Sequence, residues 1–222
     1  MALLKNVLGL DIGSHSLKAV EIRQSLRSFE AVAVRTLPRP DDETPLPDER
    51  PLALALRLAR EKALAVAGRL EGSAPRLVLG SDTIVVRGDA VLGKPRDPAH
   101  AAELLGALLG RRHTVITGVA IVESRGLRGM SLAVASDVVM KPGDAAAIRD
   151  YVATGEGLDK AGAYALQGEG GRRFVSEVVG SRTNVIGLPA DETLALLERA
   201  RRALAVGDDS AWDDTRAVFA DG

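Results

Sequence analysis

Residues 78–120 read VLGSDTIVVRGDAVLGKPRDPAHAAELLGALLGRRHTVITGVA. The apolar run at the start predicts a buried strand, and a carboxylate, Asp82, stands in its middle. An ionised Asp within an apolar run is unfavourable unless it is paired, bound to a metal or open to a pocket. A turn with Lys94, a helix capped by Asp97 and a second strand follow. One acid and one lysine on neighbouring rigid elements are typical of a site for a metal-bound anion.

Composition narrows the class of protein. The 222 residues are 46% hydrophobic, which suffices for the core of a globular domain. With 29 basic against 30 acidic residues and 3% aromatics, the chain lacks the charge excess and the stacking surface of nucleic-acid-binding proteins. It has no cysteine, which excludes disulfides, thiolate zinc sites and a cysteine nucleophile. No apolar run approaches the length of a membrane span, so we expect a cytoplasmic protein without a membrane partner.

The pattern along the chain changes at a proline-rich stretch. Three extended segments over residues 7–37 predict a β-meander. The stretch LPRPDDETPLPDERP (37–51) then excludes regular structure, because proline disrupts helices and central strands. We expect three parts: an N-terminal β segment (1–40), an α/β domain (41–206) and an acidic C-terminal tail (207–222) held by Trp212.

The periodicity within the middle part predicts alternating helices and strands. The predicted helices cover 51–70, 98–109, 144–155 and 191–204. The predicted strands cover 78–86, 113–122, 131–140 and 174–179, and the glycine-rich residues 156–173 predict a loop. Because the histidines share no metal-ligand spacing, we interpret His100 and His113 as structural.

Lys62 and Asp82 each allow more than one interpretation. Lys62 lies in the long helix, four residues from the apolar Leu58 and Val66. This spacing is equally typical of a lysine that lays its stem on the core and extends its ammonium group into water. Asp82, with Thr83 beside it, is also typical of a buried carboxylate that caps a turn or pairs with an arginine. These residues indicate a site only in combination.

Further polar positions follow along the chain. Lys94 stands in a turn before Pro95, where a lysine without a function is also common. Asp159 and Lys160 are adjacent in a loop, where an ion pair contributes little to stability. Gln167, between an apolar segment and a glycine, carries a donor and an acceptor with which an amide can read a nucleobase.

Six segments are informative as a set. They are DDETPLP (41–47), RLAREKALAVA (57–67), VLGSDTIVV (78–86), LGKPRDPAHAAELLGALLGRRHTVITGVA (92–120), DYVATGEGLDKAGAYALQG (150–168) and FVSEVVGSRTNVIGLP (174–189). In this order they resemble the Maf family, the septum-formation-inhibitor-like nucleotide pyrophosphatases, from Asp41 to about Leu204. The resemblance implies an α/β fold of the Maf and ITPase-like type, with a mixed twisted sheet and flanking helices.

The resemblance also implies a reaction and its residues. Enzymes of this family cleave nucleoside triphosphates to monophosphate and pyrophosphate with a divalent metal, here Mg²⁺ or Mn²⁺, and a homodimer is compatible with this. Asp82 is then the general base, and Asp82 and Glu43 are the metal ligands. The implied substrate-binding residues are Glu43, Lys62, Thr83, Lys94, Asp159, Lys160 and Gln167. Of these, Thr83 and Gln167 match the positions that separate the dTTP/UTP branch from the branch acting on methylated GTP.

The N-terminus departs from the family pattern. The family opens with a Ser- and Arg-rich loop of the form ASxSPRR, whereas this chain has LGLDIGSHSLKAVEI (8–22). That segment resembles the first phosphate loop of actin-like ATPases of the PilM group, in which Asp11, Gly13 and Ser14 would face phosphates and metal. A plain glycine turn between two strands is the alternative. We therefore expect a foreign β-meander fused to a Maf domain, with VLGLDIG taking the place of the first strand.

Three functions remain open at this stage. The first is a dTTP/UTP pyrophosphatase whose activity is weakened by the loss of the Ser/Arg loop. The second is a catalytically impaired nucleotide-binding protein. The third is an accessory module of pilus assembly or cell division.

Overall fold

The computed structural model describes residues 6–12, 17–24, 29–37, 43–70, 75–212 and 215–219. The strands there are β1 (Asn6–Ile12), β2 (Leu17–Gln24), β3 (Phe29–Leu37), β4 (Leu77–Arg87), β5 (Ala90–Leu92), β6 (Arg112–Glu123), β7 (Gly129–Met140), β8 (Val175–Val179) and β9 (Thr215–Phe219). The α-helices are α1 (Pro51–Ala67), α2 (Pro98–Leu108), α3 (Ala145–Ala153), α4 (Glu169–Arg172), α5 (Arg182–Ile186) and α6 (Ala190–Val206). These elements confirm the predicted α/β class.

The long elements agree with the periodicity of the sequence, and the predicted caps are present. The Asp97 carboxylate accepts a hydrogen bond from the main-chain N–H of His100 at 2.7 Å. The Asp144 carboxylate accepts one from the N–H of Ala147 at 2.8 Å, at the start of α3. Each cap satisfies a donor that the first turn of a helix leaves without an internal partner.

The described strands follow the order β3-β2-β1-β4-β6-β7-β8, with β5 beside β4 and β9 beside β7. The predicted meander is confirmed, because β1, β2 and β3 pair antiparallel in sequence order. The prediction that VLGLDIG supplies a first strand of the sheet is also confirmed. β1 runs parallel to β4, with Val7 opposite Leu77 and Leu8 opposite Val78.

The chain divides into two compact units. The first comprises Met1–Asp82, Gly118–Ala133 and Ala190–Ala217; the second comprises Thr83–Thr117, Val134–Pro189 and Val218–Gly222. The predicted division into residues 1–40, 41–206 and 207–222 follows sequence resemblance instead of contacts and stays a prediction.

Small residues let α1 lie close to the strands of the first unit. A Cβ atom at Gly80 would be 2.4 Å from the carbonyl oxygen of Ala59, and one at Gly118 would be 2.1 Å from that of Ala55. No side chain fits at either distance, so both strands present bare backbone to the helix. Ala59, Ala63 and neighbouring valines complete this core.

The second unit has its own core. It is built on the predicted stripe of α2 together with residues of β6, β7 and the following segments. The buried members are Val85, Leu105, Leu108, Leu109, Val115, Val138, Met140, Tyr151, Tyr164 and Phe174. Tyr151 and Phe174 meet edge to face, with ring centroids 5.5 Å apart.

Several short elements were not predicted. The strands β5 and β9 and the helix α5 are too short for their periodicity to be recognised. The prediction of an uninterrupted loop over 156–173 is wrong in part, because a 3₁₀ turn (Ala161–Ala163) and α4 lie within it.

The C-terminal segment is held as Trp212 suggested. This side chain is 5% exposed, and the Arg128 guanidinium lies 5.4 Å from the centre of its ring. Arg128 also pairs with the carboxylate of Asp209, in a 3₁₀ turn just before Trp212. In the described part of the chain, no helix is long and apolar enough to cross a membrane.

Candidate functional site

Lys62 is the centre of a buried charged cluster in the first unit. Its Nζ lies 2.7 Å from an oxygen of Glu43 and forms a second, shorter contact with Oδ1 of Asp82. The Lys62 side chain is 1% exposed, that of Asp82 11% and that of Glu43 26%. We call these three residues the Lys62 cluster. It places two carboxylates around one buried lysine.

This geometry decides between the interpretations of Lys62 and Asp82. An ammonium group that is 1% exposed does not reach into water, so Lys62 is not a snorkelling side chain. The partner of Asp82 is this lysine and not an arginine.

The buried face of α1 differs from the apolar stripe of the sequence. The helical spacing of apolar residues predicts a stripe of Leu52, Ala55, Leu56, Ala59, Ala63, Val66 and Leu70. Of these, Ala55, Ala59, Ala63 and Val66 are buried, whereas Leu52, Leu56 and Leu70 are only half-buried. The real face contains Lys62 in line with Leu58. The prediction is therefore confirmed for four of its seven residues, and the buried face also includes Leu54, Leu58, Lys62 and Ala67.

Arg57 attaches the segment of Glu43 to α1. Its guanidinium donates to the Glu49 carboxylate at 2.7 and 2.8 Å and to the carbonyl oxygen of Thr44 at 3.1 Å. The hydrogen bond from Arg57 lowers the pKa of Glu49 below its usual value. Such a bidentate arginine–carboxylate pair fixes orientation as well as charge. Sequence reasoning missed Arg57, for which the only local signal was the i,i+4 spacing to Glu61 on the same helix.

The second unit brings Lys94 close to the loop of Asp159 and Lys160. The main-chain N–H of Gly162 donates to the carbonyl oxygen of Gly93 at 3.1 Å, which joins the two segments next to these side chains. Asp159 and Lys160 form an ion pair at 2.9 Å, and each side chain is 49% exposed. Both are accessible to solvent, as a substrate-binding role requires.

Glu156 organises the segment that carries Gln167. Its carboxylate accepts hydrogen bonds from the N–H groups of Gly171 at 2.8 Å and Gly170 at 3.2 Å, and from the hydroxyl of Tyr151 at 3.2 Å. A Cβ atom at Gly168 would be 2.0 Å from a Glu156 oxygen, so the loop closes tightly around this carboxylate. Gln167 is exposed beside it.

Thr83 stands at the head of a hydrogen-bonded chain within the second unit. Its hydroxyl lies 2.9 Å from the hydroxyl of Thr117, which donates to the carbonyl oxygen of Asn184 at 2.9 Å. Thr117 and Asn184 are both 0% exposed, whereas Thr83 is half-buried. Neither Thr117 nor Asn184 was singled out from sequence, although Thr117 interrupts an otherwise apolar strand.

His113 has the structural role that was predicted. It is 3% exposed, and its Nε2 lies 2.8 Å from the hydroxyl of Tyr164. Burial is the main cause that lowers its pKa to about 4, against an opposing effect of Asp137. The ring is therefore neutral at pH 7 and unsuited to proton transfer there.

Contacts within each unit join only some of the candidate residues. Lys62, Asp82 and Glu43 meet in the first unit, and the backbone near Lys94 meets that near Lys160 in the second. Within residues 43–70 and 75–212, Gln167 forms no hydrogen bond with another candidate. Gly13 and Ser14 lie outside the described residues, as do the side-chain contacts of Asp11, so the PilM-like phosphate loop stays a prediction.

Comparison with known proteins decides the family. The family described as Maf-like protein matches residues 12–200. The chain belongs to the Maf family. The match begins at Ile12. It therefore includes residues 12–40 of the N-terminal segment, for which the sequence analysis predicted a different origin.

Relatives within the Maf family are similar over most of their length. A dTTP/UTP pyrophosphatase of Anaeromyxobacter dehalogenans is 48% identical over 180 residues, which are 80% of this chain and 89% of that protein. The dTTP/UTP pyrophosphatase of Alcanivorax borkumensis is 42% identical over 192 residues, 86% of this chain and 95% of that protein. The dTTP/UTP pyrophosphatase of Myxococcus xanthus is 48% identical over 159 residues, 72% of this chain and 78% of that protein.

Proposed function

We propose that this Maf protein hydrolyses dTTP and UTP to the nucleoside monophosphate and pyrophosphate. The observation that carries the proposal is the Lys62 cluster, because a buried lysine between two carboxylates occurs at the positions that the Maf resemblance implies. The names of relatives at 42% to 48% identity support the same substrates. A cytoplasmic location would supply these nucleotides, and a homodimer is compatible with the proposal.

The proposal includes a divalent cation, Mg²⁺ or Mn²⁺. Glu43 and Asp82 would hold it, because carboxylate oxygens suit both ions and the two groups already converge on Lys62. In the described residues, no group of three or more His, Cys, Asp or Glu side chains is arranged to hold a metal. One or two carboxylates completed by substrate phosphates are the usual way in which proteins hold Mg²⁺ at nucleotides. The ion would neutralise phosphate charge and orient the triphosphate for attack.

Asp82 is the proposed general base. Since Lys62 contacts Oδ1, we assign the proton of the attacking water to Oδ2 of Asp82. The hydroxyl of that water bonds to the α-phosphorus, the anhydride bond to the β-phosphate breaks, and pyrophosphate leaves. Lys94 and Lys160 are the proposed contacts of the outer phosphates.

The test is pyrophosphate release from dTTP, UTP, CTP, GTP and ATP with Mg²⁺ or Mn²⁺. We expect turnover of dTTP and UTP, and a loss of about 10²-fold or more in Asp82→Asn, as is usual for removal of a general base. Asp89→Asn is the matched control, because Asp89 lies exposed in the turn between β4 and β5. Release of pyrophosphate at the parental rate by Asp82→Asn would remove Asp82 from the mechanism.

Two alternatives are a pyrophosphatase with weakened activity and a protein that binds nucleotides with little turnover. Both depend on the absence of the Ser/Arg loop. Charge-assisted bonds to phosphate are among the stronger contacts of such sites, so their loss should lower turnover. Replacing residues 1–40 by an ASxSPRR-type start from a relative should then raise turnover sharply. If the natural chain is already as fast as this chimera, GSHSLK (13–18) acts as a substitute loop and the claim of weakening is wrong.

A further inference from the structure

The hydroxyl of Thr83 has a fixed hydrogen-bond direction that follows from its neighbours. A carbonyl oxygen only accepts hydrogen bonds, so in the contact between Thr117 and Asn184 the hydroxyl of Thr117 is the donor. A threonine hydroxyl has one proton, and that of Thr117 is thereby used. In the contact between the two threonine hydroxyls, Thr83 must therefore donate and Thr117 must accept.

The far end of this chain is held firmly. The Asn184 side chain donates to the carbonyl oxygen of Val115 at 3.1 Å and to the hydroxyl of Ser136 at 2.9 Å. Ser136 in turn donates to the carbonyl oxygen of Ser181 and accepts from its N–H group at 3.0 Å. With these contacts Ser136 uses one donor and two acceptor positions, its full inventory.

The carbonyl oxygen of Asn184 is also fully engaged. It accepts from the N–H of Gly187 at 2.9 Å as well as from Thr117, which uses both of its lone pairs. We call Thr83, Thr117 and the carbonyl group of Asn184 the threonine relay. Because every member behind Thr83 is buried and paired, the direction of the relay cannot easily reverse.

The outer side of Thr83 is open to a ligand. Thr83 is half-buried, so part of its side chain reaches solvent, and a Cβ atom at Gly187 would lie at an ordinary packing distance, 3.5 Å, from the Thr83 oxygen. Gly187 has φ of +124°, a conformation that other residues adopt only with strain. With its proton donated inwards, Thr83 offers only oxygen lone pairs to a molecule on this side.

We propose that the threonine relay makes Thr83 a pure acceptor and thereby selects uracil and thymine, the pyrimidines with a ring N–H, against cytosine. The inference rests on the proposed function and adds to it a positioning residue, Thr117, behind the position Thr83 that the Maf resemblance already links to substrate choice. Uracil and thymine carry a donor at N3, whereas N3 of cytosine is an acceptor. Two acceptors facing each other cannot form a hydrogen bond, and both lose their water on contact. Thr117 is thus a positioning residue, because it acts on the base only through Thr83.

The test measures binding and turnover in Thr117→Val, which is almost isosteric and removes only the relay. Calorimetry with UMP and CMP gives the affinity ratio without turnover, and pyrophosphate release from UTP and CTP gives the ratio of kcat/KM. We expect the parent to prefer the uracil nucleotide. In Thr117→Val the Thr83 proton becomes free to serve cytosine N3, so the preference should fall about 10-fold, mainly through better binding of CMP.

Matched variants separate the relay from general damage. Thr117→Ser retains the hydroxyl and should retain the preference. Thr114→Val makes the same substitution on β6, at a threonine whose hydroxyl donates to Asp137 instead. It should also leave the preference for uracil unchanged. Should Thr117→Val fail to fold, Thr83→Val serves instead: it removes the acceptor and should weaken UMP more than CMP.

Each outcome decides something. An unchanged uracil-to-cytosine ratio in Thr117→Val overturns the relay, and so does a parent that binds UMP and CMP equally or binds neither. Absence of pyrophosphate release together with selective UMP binding would overturn the proposed hydrolysis while supporting the relay. The two proposals therefore fail separately.

Discussion

Arg57 holds Glu49 through two parallel hydrogen bonds, at 2.7 and 2.8 Å, across eight residues of sequence. The same guanidinium reaches the carbonyl oxygen of Thr44, directly after Glu43. The position of Glu43 beside Lys62 thus depends on an arginine that contacts neither member of that pair.

Arg57→Gln should loosen the segment of Glu43. We expect a loss of about 2 kcal/mol in the free energy of unfolding, the usual size for hydrogen bonds to a charged group. Weaker activation by Mg²⁺ should accompany it, since Glu43 is a proposed metal ligand. Chemical denaturation and metal titration measure the two effects. The control is Arg69→Gln, because Arg69 lies exposed just after the same helix; equal effects in both variants would refute the tether.

Lys62→Met should be strongly destabilising. Removing one member of a buried ion pair leaves the other charges uncompensated, which costs about 3–5 kcal/mol. The double variant Lys62→Met with Asp82→Asn should recover part of this loss, because it also removes one of the stranded carboxylates. Urea denaturation of both variants measures the difference. Lys141→Met, at an exposed lysine, should be close to neutral; a single Lys62→Met variant as stable as the parent contradicts the cluster.

His113 predicts a pH dependence of stability. Its pKa is about 4 in the folded protein against a usual 6.5, so the unfolded chain binds the extra proton first as the pH falls. Stability from this residue is therefore complete above about pH 6.5 and is lost progressively down to about pH 4. The loss is on the order of 3 kcal/mol.

The variant His113→Leu should flatten the pH profile of the melting temperature in that window. Tyr164→Phe should keep the slope, because burial and not the tyrosine hydroxyl is the main cause of the low pKa of His113. A slope that disappears in Tyr164→Phe as well would contradict this assignment.

Glu156→Ala should raise KM for UTP more than it lowers kcat. Without the carboxylate, the N–H groups of Gly170 and Gly171 lose their partner, and the loop with Gln167 loses its fixed shape. Steady-state kinetics separates the two constants. Glu169→Ala provides the control within the same loop, since Glu169 is exposed. An unchanged KM in Glu156→Ala would exclude a role of this loop in substrate binding.

Gln167→Glu should weaken the use of pyrimidine triphosphates. An amide both donates to and accepts from the edge of uracil or thymine, whereas a carboxylate only accepts. The measurement is kcat/KM for UTP and GTP before and after the change. Equal ratios would show that this side chain does not read the base.

The predictions from sequence agree best with the structure where interactions between residues close in sequence determine an element. The caps at Asp97 and Asp144 follow from hydrogen bonds within one turn, and the core of α2 follows from its apolar period. Lys62 shows the limit of this reasoning, because the face of α1 is set by carboxylates from distant segments. Thr117 and Asn184 were missed for a related reason: a buried hydroxyl or amide becomes informative only when its partners on other elements are known.

Gly80 and Gly118 limit which sequences this site can tolerate. Any side chain at either position would push α1 away from the strand beneath it, because its Cβ atom would overlap a carbonyl oxygen of the helix. Lys62 lies on that helix, and Asp82 lies two residues after Gly80 on β4, so a displacement caused at Gly80 would open their ion pair. A substitution at this glycine would then disturb the charged cluster without changing any charged residue.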